Sequence, residues 1–268
     1  MADFCRTSNF QRMILKLAVP AVISLASAGL GQRVLIYTKN GEGYVHKNIP
    51  ASVKCLEKIC KANGWEYESS DDASVFTADN ISRFSVLVFS NTNNESFDTE
   101  EQRKVFKDYI NSGGGFVGIH SACGSERKWP WFWANLGGKF AWHPKNQPFD
   151  ILVIDKNHPS TAHLDDVWKW QDECYLIDEL NPRIRVLMAV DLKTIKTDAQ
   201  RLKEYPGRVF GDTFPLAWCQ EFDGGRQWYT ALGHDIEHYK DENFIRHLTG
   251  GIRWVMEKDN IKTKNEKK

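Results

Sequence analysis

GGGFVGIHSA, residues Gly113 to Ala122, compresses a helix end, a buried strand and a sharp turn into one short stretch. Three glycines stop an amphipathic helix and let the backbone turn tightly. Phe116-Val-Gly-Ile119 is an apolar run with the length and β-branching of a strand buried on both faces. The chain then bends at His120-Ser121-Ala122. In an open parallel sheet, ligands sit beyond the carboxyl ends of the strands. An imidazole delivered there by a buried strand faces the place where chemistry occurs.

Upstream, Arg33 to Lys39 (RVLIYTK) reads as a first strand. The loop from Asn40 to His46 lacks the GxGxxG spacing and the lysine of a phosphate loop, which argues against a nucleotide site. Pro50 suits a helix first turn, and the helix runs to Ala62 before Asn63-Gly64. Val53, Leu56, Ile59 and Cys60 form its inward stripe. Trp65 to Ser69 and Phe84 to Ser90 are the second and third strands. Asp98-Thr-Glu-Glu101 matches a capping box, ahead of a helix whose apolar face carries Val105, Phe106, Tyr109 and Ile110. Strands alternating with helices in this way specify a doubly wound α/β fold.

Downstream, Trp129 to Trp133 is an aromatic segment, and His143 precedes a proline, which favours extended backbone. Phe149 to Ile154 is a further strand. Arg183 to Val190 and Pro215 to Phe222 read as antiparallel additions, and Gly224-Gly225 as a hairpin turn into Arg226 to Leu232. Asn243 to Glu257 closes the domain as a helix. His158 and His163 are not at the i, i+4 spacing of a helical metal pair, so local capping accounts for them.

The chain has 268 residues, 41% hydrophobic and 26% charged, the composition of an ordinary globular protein. Thirty-five basic residues balance 35 acidic ones, so no global field draws it to nucleic acid or an anionic membrane. Residues 1–32 read as a secretory leader. Arg6, Arg12 and Lys16 precede an apolar run, and Ala26-Ser27-Ala28 offers cleavage after Ala28; Met13 is an alternative start. The run is too short and interrupted to span a membrane. The mature protein is therefore expected to be secreted or periplasmic, as one domain over 33–257 with a charged tail at 258–268. Five cysteines remain, an odd number without CxxC spacing, which indicates neither a disulfide scaffold nor a zinc knuckle. Ten tryptophans serve core packing, with stacking on sugar rings as the alternative use.

His46, His120, His143 and His234 all fall at strand ends or in the loops after them, with Asp172, Glu173 and Asp235 in comparable places. Imidazoles meeting carboxylates bind zinc or a similar ion, or exchange protons near neutral pH. GGGFVGIHSA, FAWHP (140–144), HPST (158–161), the run Asp172 to Tyr175 and PLAWCQEFDGGRQWYTALGHD (215–235) together resemble the ThuA-like, trehalose-utilisation family. That resemblance implies a flavodoxin-like sandwich of the class I glutamine amidotransferase type: a mainly parallel sheet with helices on both faces and added antiparallel strands. His120 stands where an amidotransferase has its cysteine, Ala122 replaces the following glycine, and His234 resembles the position of that enzyme's base. Without the thiol there is no acyl-transfer nucleophile, and glutamine hydrolysis is disfavoured. His163 departs from the family pattern, where glycine is frequent.

The resemblance also implies a small-molecule carbohydrate partner and the processing of a disaccharide or keto-sugar derivative by a hydrolase, lyase or isomerase. His120, His234 and Glu173 are the expected catalytic residues. His46, Asn91, Ser121, His143, Tyr175 and Asp235 are expected to bind substrate. A divalent metal such as zinc is the expected cofactor, with His120, His143 and His234 as candidate ligands. The alternative is a non-catalytic carbohydrate-binding protein on the same scaffold.

Overall fold

The computed structural model describes residues 32–197 and 210–257. The charged tail and all of the expected leader except residue 32 lie outside them. The elements in chain order are β1 (Arg33–Tyr37), α1 (Ile49–Asn63), β2 (Glu66–Ser70), α2 (Ala78–Ile81), β3 (Val86–Ser90), α3 (Glu100–Asn111), β4 (Gly115–Ile119) and α4 (Pro130–Leu136). Then come β5 (Lys139–Trp142), β6 (Gln147–Val153), β7 (Val167–Asp172), β8 (Leu176–Asp178), β9 (Arg185–Asp191), β10 (Thr213–Phe222), β11 (Gly225–Thr230) and α5 (Glu242–Met256). Among the described residues no helix is long and apolar enough to cross a membrane.

The main sheet has the order β2-β1-β3-β4-β11-β10-β9-β6-β7. Its first five strands pair in parallel, in the flavodoxin-like sense, and the rest pair antiparallel. The mixed α/β sheet expected from the sequence is what forms. Strand β4 lies inside the sheet, between β3 and β11, and successive residues point to opposite faces. Phe116 meets Phe106 of α3 and Phe132 of α4, whereas a side chain at Gly115 would strike Val255 of α5. Helices therefore cover both faces, and β1, β3 and β4 are buried almost throughout.

Local chemistry explains the boundaries, sometimes one residue from expectation. The capping box is built by Thr99 and Gln102, because Thr99 takes the extended N-cap conformation and Gln102 Oε1 accepts its N–H. The hairpin between β10 and β11 turns at Asp223-Gly224, both with positive φ, so the D-G pair rather than Gly224-Gly225 is central. Cys55 joins Leu56, Ile59 and Cys60 on the buried side of α1, while Val53 is only partly covered. The aromatic segment after Trp129 folds as α4, and β5 pairs with β8 in a separate two-stranded sheet. Residues 160–164 form turns. Gly251 in the middle of α5 lets that helix approach Trp228, whose indole a methyl group there would meet at 2.4 Å.

Two histidines outside the strand-end cluster are buried at α5: His247 on its inner face and His158 in the loop beside Trp254. His158 Nδ1 lies 2.8 Å from Ser160 Oγ, and His247 Nδ1 donates to Ser160 O at 2.8 Å. Burial pushes His158 down to about 4 and His247 down to about 3. Both folded values lie below the unfolded value of about 6.5. The unfolded chain therefore takes up protons first as the pH falls, and stability that is complete above about 6.5 is lost toward 4. Each group contributes roughly 1.4 kcal/mol per pH unit in that window. Urea unfolding midpoints measured at pH 7, 6 and 5 should fall progressively.

Candidate functional site

The parallel register brings four chain segments to one rim. Strand β1 leads to the loop carrying His46, β3 to Asn91, β4 to His120, and β11 to His234. His120 is fully buried with φ 52°, a left-handed conformation uncommon for a residue with a side chain. Its Nδ1–H donates to Ala231 O at 2.8 Å, which leaves the Nε2 lone pair facing inward. Burial, then the neighbouring His46, holds this imidazole well below its usual range, so it is neutral.

His234 Nδ1 lies 3.3 Å from His120 Nε2 and 3.1 Å from Glu173 Oε2. The hydrogen bond to Glu173 raises the His234 pKa. Burial works to raise Glu173, but the His234 hydrogen bond and the neighbouring imidazoles of His143, His234 and His46 outweigh it and leave the carboxyl lowered. His46 is buried, with Nδ1 3.2 Å from Ser121 Oγ and Nε2 3.5 Å from the Tyr175 hydroxyl. Burial and the His234 charge push it down to about 4. One donor atom from each of His46, His120, Glu173 and His234 lies within 4.8 Å of the others.

A cavity of about 280 Å³ opens beside this cluster. Tyr44, Phe140 and Tyr175 give it aromatic walls, and Asn93, Arg127 and His143 give it polar ones. Tyr175 stacks on His120 with ring centres 4.3 Å apart. Among the described residues no tryptophan lines the cavity; Trp218 and Trp228 are core residues. A second cleft of about 600 Å³ shares Tyr44 with it and is bordered by His234 and Asp235.

Most residues expected at a site do meet here: His46, His120, Ser121, His143, Glu173, Tyr175 and His234. Three placements differ from expectation. Asn91, expected to hold substrate, is 0% exposed, because its left-handed backbone turns the side chain into Asn48, Ser90 and Tyr239. His143 is outside the four-donor group, its Nδ1–H fixed on Pro144 O at 2.8 Å and its Nε2 3.6 Å from Glu173; His46 and Glu173 belong to the group instead. Asp235 borders the outer cleft, accepting from Asn146 at 3.0 Å. Arg127 was not anticipated, and Asn93 was expected only as one of the polar residues of the Asn91–Asn94 run that could hold a ligand's hydroxyls or serve turn chemistry. The sequence does not separate those two uses. Nothing in the sequence around Arg127 separates it from a surface arginine.

The sequence profile of the ThuA family, described as trehalose utilisation, matches residues 33–255. No curated protein matches the chain. A ThuA-like protein of Bacteroides uniformis is similar in structure, with a TM-score of 0.69 at 23% identity over 91% of this chain and 98% of its own. One from Parabacteroides merdae gives 0.63 at 23% identity over 84% and 90%. A β-galactosidase from Bacillus circulans sp. alkalophilus gives 0.51 at 13% identity over 85% of this chain but 30% of its own, a likeness of fold alone.

Among the described residues the thiols are all buried and not poised for covalent chemistry. Cys123, just beyond the elbow, is 0% exposed, and burial pushes it up to about 12; Cys55, Cys60 and Cys219 are raised to about 11, 12 and 12. Iodoacetamide at pH 8 should leave these four unmodified in the folded protein and alkylate them in urea, as read by mass spectrometry.

Proposed function

Because the chain belongs to the ThuA, trehalose-utilisation family, we propose that it is an exported enzyme processing a disaccharide or keto-sugar derivative at a divalent-metal centre. The observation that carries this reading is the convergence of His46, His120, Glu173 and His234 beside a small aromatic-walled cavity that His46 and Glu173 line. Three imidazoles and one carboxylate are the donor types zinc takes. The surroundings fit as well. Metal-bound histidines usually donate their second ring N–H to a fixed acceptor, and here His120 Nδ1 is on Ala231 O and His46 Nδ1 beside Ser121 Oγ. A bound divalent ion would polarise a carbonyl oxygen of the substrate.

The remaining work falls to the chain's own groups. Tyr44, Phe140 and Tyr175 offer apolar faces to a sugar ring, and Asn93 and Arg127 offer polar groups to its hydroxyls. His143 has its Nδ1–H committed to a backbone carbonyl, which leaves Nε2 as the proton acceptor in the cavity. In this reading it takes a proton from the carbon beside the carbonyl, the first step of an isomerase or lyase reaction. The basic residues and apolar run of the first 32 residues support export.

Elemental analysis of the purified protein should find one zinc or similar ion per chain, lost in His120→Ala. His143→Gln should retain the ion and lower turnover of keto-sugars and disaccharides by roughly 10²–10⁴-fold. Sugar binding with no product in the metal-loaded wild type would instead favour a carbohydrate-binding protein.

A further inference from the structure

The Glu173–His234 pair is held from behind by two buried side chains from distant parts of the chain. Asn48 is 1% exposed and lies two residues after His46. The two hydrogens of its amide nitrogen are shared among three acceptors, Gly233 O at 2.6 Å, His234 O at 2.7 Å and Asn91 Oδ1 at 2.9 Å. Asp172 is 0% exposed and precedes Glu173. Its Oδ1 accepts the Glu173 N–H at 2.7 Å, and its Oδ2 accepts the Gly233 N–H at 2.9 Å and the Trp170 indole N–H at 3.0 Å. His238 Nδ1 stands 3.5 Å from the same oxygen. One carboxylate thus joins the backbones that carry Glu173 and His234, and one amide joins the loop of His46 to the carbonyl of His234.

A buried carboxylate and a buried amide N–H group are costly unless bonded. Here the bonds made by Asp172 and by the Asn48 nitrogen converge on the peptides flanking the ligand-bearing residues, while Asn48 Oδ1 is buried without a partner among the described residues. We propose that Asn48 and Asp172 are positioning residues that clamp the Gly233–His234 peptide and thereby set the spacing of His46, Glu173 and His234 as metal ligands. This inference rests on the metal reading given above. Neither residue offers a donor to the ion itself, since the ligand group comprises His46, His120, Glu173 and His234. Their effect is on affinity, through geometry.

The test is zinc affinity of the full chain, measured by competition with a fluorescent chelator at a temperature where every variant is folded. Asn48→Ala and Asp172→Asn should each weaken zinc binding by roughly 10–100-fold, the usual effect of losing a group that orients a ligand. Gln220→Ala is the control. Gln220 is 5% exposed and bonds to Ala134 O, Asn135 O and Asn181. It pairs through Gln227 with Phe116, at the start of β4 and so at the opposite rim. That variant should lose stability and keep wild-type affinity. Should Asn48→Ala fail to fold, the near-isosteric Asn48→Asp, which lacks the donor, replaces it. Wild-type affinity in the Asn48 and Asp172 variants overturns the clamp and leaves the metal centre standing. A wild-type protein that binds no zinc overturns the metal centre and the clamp with it.

Discussion

The hydrogen bond from His120 Nδ1 to Ala231 O joins the ends of two neighbouring parallel strands and chooses the tautomer of a fully buried imidazole. Without it, His120 would have no fixed donor and no reason to present Nε2 to His234. The left-handed backbone at His120 costs of order 1–3 kcal/mol, and the surroundings hold it there. Tyr229 donates to the His120 carbonyl at 2.8 Å, and Tyr175 stacks on its ring. Strain of that kind, kept at the carboxyl end of an interior strand, is where a sheet of this type places its chemistry.

Around that bond the site is assembled from residues far apart in the chain. His46 comes from the loop after β1, and Glu173 from the end of β7, the last strand in the sheet order. Glu173 reaches the rim because Asp172 is tied to Gly233, 61 residues away. Burial keeps His46 and His120 neutral, whereas His234 and Glu173 support each other's charge. Neutral imidazoles beside a carboxylate are a donor set ready for a cation, because no ligand but His234 has to give up a proton.

The parallel half of the fold was legible because its signals are local. Short apolar runs bounded by glycine, proline and asparagine marked β1, β3 and β4, and helical spacing marked α1, α3 and α5. His46, His120 and His234 could be placed at strand ends for the same reason. What the sequence concealed was direction and distance. Asn91 follows a strand as a ligand-binding residue would, but the sign of its φ, which turns the side chain into the protein, depends on Asn48 and Tyr239. His143 and Glu173 looked comparable in sequence, and only tertiary contacts separate the residue beside the donor group from the one inside it. The region from α4 to β8 has no clean periodicity, and its aromatic residues are spaced by packing against other elements.

The account stands or falls on whether His46, His120, Glu173 and His234 act on one centre. Crystals grown with zinc and measured on both sides of the zinc absorption edge address this directly. The account predicts an anomalous peak about 2.1 Å from a nitrogen of each histidine and an oxygen of Glu173. A map with no peak among these four side chains, or with zinc only on surface groups elsewhere, would contradict it.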